Sequence, residues 1–488
     1  MKKIRDVVMV QSERHDVGYV LRICAIAALG GILFGYDTSV ISGAITPLTE
    51  YFKLSPAQTG WAVSNVVVGC MIGALLSGVM ADRVGRRMTL FICALLFSIQ
   101  SVGTAITDDF TWFVIYRMIG GIAVGVASAV SPMYMSEVSP KDMRGRALSM
   151  EQFAIVFGQV VVFIVNYLIA RSATSEWLVD MGWRWMFGSE IVPCILFCAV
   201  IFCIPESPRW HVLKGRHDEA LKTLTRISNE GHARNLLREI QQSLNDAAKT
   251  SLGFARVLRD PRARWIIFVG AMIGGMQQIT GINVMMYYAP MLLKSTSGSY
   301  QAALFQTIWI GLALLAGCVI NAWIVDKHGR KPLIFWGSIG MVIGLLIVSV
   351  ALYTQTTGLL ALTGMIVFML TFGFSWGPIA WILISEIFPN RFRAVGISLT
   401  VCFQWAANFL VSQFFPMLNE NRYLMDHFHG AFSMWLFAGC GILGAWFVMG
   451  LVPETKGVSL EKIEDTMINH RTGSARGRTA APHDEKIV

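Results

Sequence analysis

The sequence predicts an all-α membrane protein in which twelve membrane-spanning helices form two pseudo-symmetric six-helix bundles. Of the 488 residues, 54% are hydrophobic and 15% are charged, whereas a soluble domain has about 25% charged residues. Apolar runs of about 20 residues, long enough to cross a bilayer, recur between residues 19 and 451. We expect an N-terminal bundle over 1–204, a cytoplasmic helical linker over 205–262, a C-terminal bundle over 263–455 and a cytoplasmic tail over 456–488.

The basic residues predict the orientation of these helices. They concentrate in the loops after spans two, four, eight and ten, which lie on one side if the spans alternate. Positive loops face the cytoplasm, so we expect both termini to be cytoplasmic. The clustered residues are Arg83, Arg86, Arg87, Lys141, Arg144, Arg146, Lys327, Arg330, Lys331, Arg391 and Arg393. The basic residues lie in loops between apolar runs rather than on one soluble face, so the net charge of +9 does not indicate nucleic-acid binding.

Several classes of function have no support in the sequence. The nine cysteines are scattered through apolar runs without paired spacing, so we expect neither disulfides nor a metal site. No phosphate-binding loop of the Gly-x-x-x-x-Gly-Lys-Ser/Thr type occurs, so ATP is not the expected energy source. No nucleophile with a neighbouring base is recognisable, and we therefore predict no enzyme activity and no cofactor. Residues 1–18 are charged and give no sign of a removable signal peptide.

An internal duplication supports the division into two bundles. The motif at 82–87, Asp-Arg-Val-Gly-Arg-Arg, returns at 326–331 as Asp-Lys-His-Gly-Arg-Lys. Ser136-Glu137 is echoed by Ser385-Glu386, and Pro-Glu-Ser at 205–207 by Pro-Glu-Thr at 453–455. Because the order is the same in both halves, we expect two parallel repeats that face each other across a central cavity.

These motifs, with Gln277-Gln278 and the Gly-Ile-Asn of 281–283, together resemble the signature of the sugar porters of the major facilitator superfamily. The resemblance implies the two-bundle facilitator fold in a bacterial inner membrane. It also implies a monomer that imports a neutral monosaccharide, D-xylose first, together with a proton. An uncoupled uniporter and a symporter for another pentose or hexose stay open as alternatives. A membrane sugar sensor is less favoured, because the tail after Gly457 is short.

Three charged residues inside spans predict a proton-coupling site. Asp37, Arg117 and Glu190 each lie seven or eight residues from the same, outer ends of their helices, about 10 Å deep. Burial favours the neutral form of an acid and a nearby arginine favours its ionised form, so one carboxyl can hold a transferable proton. We expect Asp37 to carry it, Arg117 to be its partner and Glu190 to adjust it. The alternative is a permanent Asp37–Arg117 pair that only orients the helices.

Amide side chains and aromatic rings in the spans suit a sugar, since amides both donate and accept hydrogen bonds without charge. The resemblance assigns sugar contacts to amides and Trp381, and places three further rings near the sugar. The predicted residues are Gln152, Gln159, Gln277, Gln278, Asn283, Trp381 and Gln404, with Phe34, Tyr287 and Trp405. Gly281 and the Gly377-Pro378 pair predict broken helices around this pocket. The alternative is that the amides tie helices together.

Acids and arginines at the cytoplasmic helix ends predict an inner gate. Alternating charges at one level can form ion pairs that close the cytoplasmic side in the outward-open state. The predicted gate residues are Asp82, Arg86, Glu137, Arg144, Asp326, Arg330, Glu386 and Arg393. Their alternative role is to hold the loops inside by positive charge. Arg391 departs from the repeat, and its role is open.

Overall fold

The structure is a computed structural model that describes residues 16–140, 143–250, 254–356, 358–389, 391–456, 463 and 466–468. Within these residues, twelve helices are long and apolar enough to cross a membrane. The predicted fold class is confirmed. Of the cytoplasmic tail predicted over 456–488, the described residues are 456, 463 and 466–468.

The first six spans form the N-terminal bundle, and polar side chains set where several of them begin. Asp16 accepts a hydrogen bond from Tyr19 N at the start of the first helix. Ser55 and Gln58 form a capping box at the start of the second, and this pairing satisfies otherwise orphaned backbone groups. The six spans are α1 (Val17–Phe52), α2 (Pro56–Val84), α3 (Arg86–Ile106), α4 (Phe110–Val138), α5 (Arg144–Ala170) and α6 (Ser175–Cys203).

Four shorter helices form the linker between the bundles. The second has its apolar residues at helical spacing, with Ala220, Leu224 and Ile227 buried, so it packs with one face toward the protein. The linker helices are α7 (Pro208–Leu213), α8 (His217–Ile227), α9 (Glu230–Thr250) and α10 (Phe254–Arg259).

The C-terminal bundle has two interrupted spans, one at the predicted Gly281 and the other two residues before the predicted Gly377-Pro378 pair. The seventh span breaks where Gly281 has a φ of 87°, in the left-handed region that favours glycine. The tenth span breaks at Ser375. The helices are α11 (Pro261–Ile279), α12 (Ile282–Tyr287), α13 (Ala289–Ser297), α14 (Tyr300–His328), α15 (Arg330–Tyr353), α16 (Gly358–Phe374), α17 (Trp376–Glu386), α18 (Arg393–Asn419), α19 (Arg422–Phe428) and α20 (Ala431–Leu451).

The bundles approach each other mainly through α2 against α18 and α5 against α14. We call the side of the molecule that holds Arg83, Arg146, Lys327 and Arg393 the basic side, and its opposite the far side. Helix approach within the N-terminal bundle is close: a Cβ on Gly35 of α1 would lie 1.9 Å from the Ile155 carbonyl oxygen of α5. Only glycine allows this separation, which brings α1 and α5 together at the centre of the bundle.

Candidate functional site: a buried charge cluster and an amide network

The centre of the N-terminal bundle holds a fully buried ion pair between two spans. Arg117 Nη1 of α4 donates to Asp37 Oδ1 of α1 at 2.6 Å, and both side chains have 0% exposure. The same nitrogen lies 3.3 Å from the Asp37 carbonyl oxygen. The Phe187 ring lies 5.3 Å from the guanidinium carbon. The arginine is therefore held by one carboxylate and an aromatic face in a site without solvent.

Two more polar side chains surround this pair. Glu190 of α6 has 0% exposure and interacts electrostatically with both Asp37 and Arg117. Gln100 of α3 also has 0% exposure and lies against Asp37. The structure thus brings the three predicted charged residues together and adds an amide.

Several polar atoms in this cluster have no hydrogen-bond partner among the described residues. They are Asp37 Oδ2, Arg117 Nε and Nη2, both Glu190 carboxylate oxygens, and the oxygen and nitrogen of the Gln100 amide. Buried polar groups in a purely structural role are normally paired, because an unpaired one is costly. With two carboxyls and one guanidinium, the cluster is neutral when it holds one proton and carries one negative charge without it. The arrangement suits a group that gains and loses a proton.

Four of the predicted sugar-binding amides form one continuous hydrogen-bonded network in the C-terminal bundle. Asn283 donates to Gln278 at 2.5 Å, and Gln278 donates to Gln277 Oε1 at 3.0 Å. Gln404 of α18 donates to the same Gln277 oxygen at 2.6 Å. Three amides from α11 and α12 and one from α18 therefore present alternating donors and acceptors at one place. A polyhydroxylated ligand needs this alternation.

The backbone at the break in the tenth span anchors this network. Gln277 Nε2 donates to the carbonyl oxygens of Trp376 and Gly377 at 2.9 and 3.0 Å. These carbonyls lie at the start of α17, next to the break at Ser375. Gln277 therefore has a structural contact with α17 in addition to its place in the network, as the helix-tying alternative requires.

Aromatic side chains bring the two bundles into contact near their centres. The ring of Phe34 on α1 lies 6.2 Å from that of Trp405 on α18, so this contact crosses between the bundles. Tyr287 at the end of α12 interacts with the Asn408 side chain and, through space, with Asp37 and Arg117. A side chain of the C-terminal bundle is thus within electrostatic reach of the N-terminal charge cluster.

Three predicted sugar contacts are not joined to the amide network by described hydrogen bonds. Gln152 and Gln159 lie on α5 in the opposite bundle, where both are partly buried. Gln159 Oε1 is itself buried and unpaired among the described residues. Trp381 on α17 is 39% exposed. Their contacts with a sugar stay predictions.

The predicted gate residues form matching ion pairs within each bundle. In the N-terminal bundle, Arg86 pairs with Glu137 at 3.0 Å and with Asp82 at 3.0 Å. In the C-terminal bundle, Arg330 pairs with Glu386 at 2.8 Å. Arg144 and Arg393 each donate to a backbone carbonyl, those of Ser136 and Phe388. The side chain of Asp326 lies outside the described part of the chain.

The repeated Pro-Glu motifs cap the helices next to these pairs. Glu206 accepts from the backbone N–H groups of Arg86 and Arg87 at 2.8 and 3.1 Å. Glu454 accepts from those of Arg330 and Lys331 at 3.1 and 3.0 Å. A carboxylate is favoured at the N-terminus of a helix by the unsatisfied N–H groups and the helix dipole. The motif thus fixes the starts of α3 and α15.

Several hydrogen bonds between described residues cross from one bundle to the other toward the far side. Ser64 of α2 donates to Gln413 of α18 at 2.7 Å, and Gln413 donates to the Ala57 carbonyl at 2.9 Å. Tyr300 of α14 donates to the carbonyl of Gly43 on α1. The described ion pairs at the basic side remain within one bundle each. The bundles are therefore clamped together on the far side.

Sequence reasoning missed Gln100 and left Arg391 unassigned. Gln100 is a lone amide in the third span, which is the signal that could have identified it. Arg391 pairs with Asp260 at 3.0 Å, and Asp260 caps the start of α11. This pair connects the loop before α18 to the first helix of the same bundle. A further acid, Glu151 of α5, is also buried within a span.

Comparison with known proteins agrees with this arrangement. The profile of the family described as Sugar (and other) transporter matches residues 23–467. The D-xylose-proton symporter of Escherichia coli strain K12 is 42% identical, over 92% of this chain and 96% of its own length. The glucose facilitated diffusion protein of Zymomonas mobilis is 34% identical, over 93% of this chain and 98% of its own.

A solved structure is also similar to this chain. The xylose transporter XylE from E. coli, in a partially occluded inward open conformation, superposes with a TM-score of 0.81. Its sequence is 40% identical, and the match covers 91% of this chain and 100% of that one. Both the family profile and the relatives span nearly the whole chain, including all twelve spans. The chain is therefore a multi-pass membrane protein that belongs to the sugar (and other) transporter family.

Proposed function

We propose that the chain is a proton-coupled symporter that imports a neutral monosaccharide, D-xylose ahead of other sugars, by alternating access. The observation that carries this proposal is the buried cluster of Asp37, Arg117 and Glu190, with its unpaired polar atoms, beside a network of amides. The relatives that are named for D-xylose and for glucose support a sugar as the substrate.

The proton step follows from the charges in the cluster. When Asp37 is ionised it holds Arg117 at 2.6 Å, and a proton on Asp37 weakens this pair. Arg117 then has the buried Glu190 carboxylate as its remaining partner. The Arg117 guanidinium can thus pair with either Asp37 or Glu190. These two pairings give the bundle two discrete conformations.

The sugar step takes place where the two bundles meet. A sugar bound to Gln277, Gln278, Asn283 and Gln404 would extend toward α5, which carries Gln152 and Gln159. Tyr287 interacts electrostatically with Asp37 and Arg117. Phe34, three residues before Asp37, contacts Trp405, the residue after Gln404. Binding at the amides can therefore change the surroundings of Asp37, and so favour sugar and proton crossing together.

In the proposed orientation, this structure is in an inward-facing state. Positive loops favour the cytoplasm, which makes the basic side cytoplasmic and puts both termini there in a bacterial inner membrane. The clamp between Gln413 and α2 then closes the outer side. In the outward-facing state, the gate residues at the basic side would form ion pairs across the two bundles. The chain would carry out the whole transport cycle as a monomer. The membrane potential adds about 2.3 kcal/mol per charge for each 100 mV.

An uncoupled uniporter is the second candidate, because one relative is named for facilitated diffusion. Uptake by vesicles with an imposed pH gradient separates the two. We expect the wild-type protein to concentrate labelled D-xylose, and Asp37→Asn to exchange the sugar across the membrane without concentrating it. Concentration by Asp37→Asn would overturn the coupling assignment. A panel of sugars added to de-energised cells, with external pH recorded, identifies the substrate by a transient alkalinisation.

A further inference from the structure

A third buried acid lies apart from the charge cluster, at the contact of α1, α4 and α5. Glu151 of α5 is 5% exposed. Among the described residues, no lysine, arginine or histidine pairs with it, and its Oε1 atom has no hydrogen-bond partner. A buried carboxylate without a cation is strongly disfavoured in its ionised form. The surroundings of Glu151 therefore favour the carboxylic acid.

The hydrogen bonds of Ser131 point the same way. Ser131 Oγ of α4 lies 2.9 Å from the Ala27 carbonyl oxygen and 2.8 Å from Glu151 Oε2. A hydroxyl group has one proton to donate, and a carbonyl oxygen has none. Ser131 can donate a full hydrogen bond to only one of these two oxygens, so both contacts are ordinary two-centre hydrogen bonds when Glu151 itself carries a proton and donates it to Ser131. With an ionised Glu151, the two acceptors would have to share one hydrogen.

The packing of α1 against α5 gives Glu151 little room. A Cβ added to Gly31 of α1 would lie 2.9 Å from Glu151 Oε1 and 3.0 Å from its carboxyl carbon. The glycine thus lets the carboxyl group lie flat against α1. Since an ionised carboxylate must be hydrated or paired, loss of the proton would push α1 and α5 apart at this place.

The charged and titratable groups on α1 and α4 that flank this site have other partners. On α1, the nearest is the Cys24 thiol, which interacts with Glu151 through space and contacts Ser139. Asp37 lies six residues beyond Gly31, about 9 Å along α1, where it pairs with Arg117. On α4, Glu137 lies six residues beyond Ser131 and pairs with Arg86.

The remaining charges lie at helix ends. Arg144 and Arg146 are at the start of α5 itself, and Arg144 donates to a backbone carbonyl of α4. Lys327 and His328 are in the last turn of α14, which also packs on α5. The side chain of Asp326 on that helix lies outside the described part of the chain. In α6, Arg184 pairs with Asp108 at the far side.

We propose that Glu151 is a second proton-binding site, which holds a proton in this inward-facing state and lies on the cytoplasmic side of the charge cluster. It is seven residues from the start of α5, about 10 Å from the basic end of that helix. The next residue is Gln152, a predicted sugar contact, so ionisation of Glu151 would move α5 at the sugar site. The role in the cycle rests on the proposed symport, whereas the protonation of Glu151 does not.

Infrared spectroscopy of the full-length protein in liposomes tests this directly. A protonated carboxyl group has a C=O stretching band distinct from the bands of an ionised carboxylate. We expect Glu151→Gln to remove a protonated-carboxyl band that the wild-type protein shows at neutral pH. The matched control is Glu176→Gln, at an exposed acid of α6, which should remove carboxylate bands only. Loss of only carboxylate bands in Glu151→Gln would overturn the proposal.

A second variant keeps the test valid if Glu151→Gln does not fold. Ser131→Ala removes the hydroxyl group that lies 2.8 Å from Glu151 Oε2 but leaves the acid in place. We expect the protonated-carboxyl band to move to higher frequency, because the C=O group gains double-bond character when the hydrogen bond is lost. An unmoved band would contradict the assignment. The band should persist in Asp37→Asn, because it belongs to Glu151. A missing band in the wild-type protein would contradict the protonation of Glu151, whereas intact proton coupling in Asp37→Asn would contradict only the proposed symport mechanism.

Discussion

Arg117 reaches from α4 to Asp37 on α1 with a separation of 2.6 Å, and both side chains are completely removed from solvent. The pair is incomplete, because Asp37 Oδ2 and two of the three guanidinium nitrogens have no partner among the described residues. A pair that only oriented helices would gain stability from further hydrogen bonds. The unpaired atoms leave room for a change of partner.

Replacement of Arg117 by glutamine should destabilise the protein by about 3–5 kcal/mol at neutral pH, because it leaves a buried carboxylate without its cation. The loss of stability should be smaller at acid pH, because Asp37 can take up a proton there. Thermal unfolding in detergent measures both effects. The double variant Asp37→Asn/Arg117→Gln should recover most of the loss, and additive losses would contradict the pairing. Arg234→Gln, at an exposed pair with Glu230, is the control and should cost less than about 1 kcal/mol.

Replacement of Gln278 or Gln404 by alanine should weaken sugar binding about tenfold or more, because each removes polar partners from the amide network. Isothermal calorimetry with D-xylose on purified protein measures the affinity. Asn321→Ala is the matched control. Asn321 donates a hydrogen bond to the Phe374 carbonyl near the break in the tenth span, and Gln277 of the network donates to the Trp376 carbonyl at the same break. An equal loss of affinity in Asn321→Ala would show that helix tying alone explains the effect.

Replacement of Gln413 by alanine should shift the protein toward the outward-facing state. The change removes two cross-bundle hydrogen bonds, to Ser64 and to the Ala57 carbonyl, each worth about 0.5–1.5 kcal/mol. The ratio of outward-facing to inward-facing protein should therefore rise by about fivefold or more. Labelling, from the far side, of a single cysteine introduced in the sugar pocket measures this ratio. Thr363→Ala, which loses a hydrogen bond within its own helix, should leave labelling unchanged. Equal labelling from the far side in Gln413→Ala and wild type would contradict the clamp.

Replacement of Glu454 by glutamine should lower stability by about 1 kcal/mol at neutral pH. Burial raises the pKa of this carboxyl group, but hydrogen bonds from the backbone N–H groups of Arg330, Lys331 and Lys456 outweigh it, and the pKa lies below its ordinary value. A lowered pKa in the folded state means that the contribution is present above the unfolded value, about 4.3, and is lost as the pH falls through the folded value.

The melting temperatures of Glu454→Gln and the wild-type protein should therefore differ at pH 7 and become equal at acid pH. Glu50→Gln, at an exposed acid in the last turn of α1, is the control. A difference between Glu454→Gln and wild type that persisted in acid would show that the carboxylate charge is not what fixes the start of α15.

The sequence alone determined the fold class, because the length of an apolar run and its repetition are properties of the chain itself. It also determined that charges such as Asp37 and Arg117 lie inside spans at a common depth, since helix rise converts residue number into distance. The tertiary structure decided which faces of the helices meet. It joined Gln277 to Gln404 across 127 positions, brought Gln100 to Asp37, paired Arg391 with Asp260 and buried Glu151 against Gly31. Hydropathy cannot predict these contacts, because rotation of each helix about its axis is set by the packing of its neighbours.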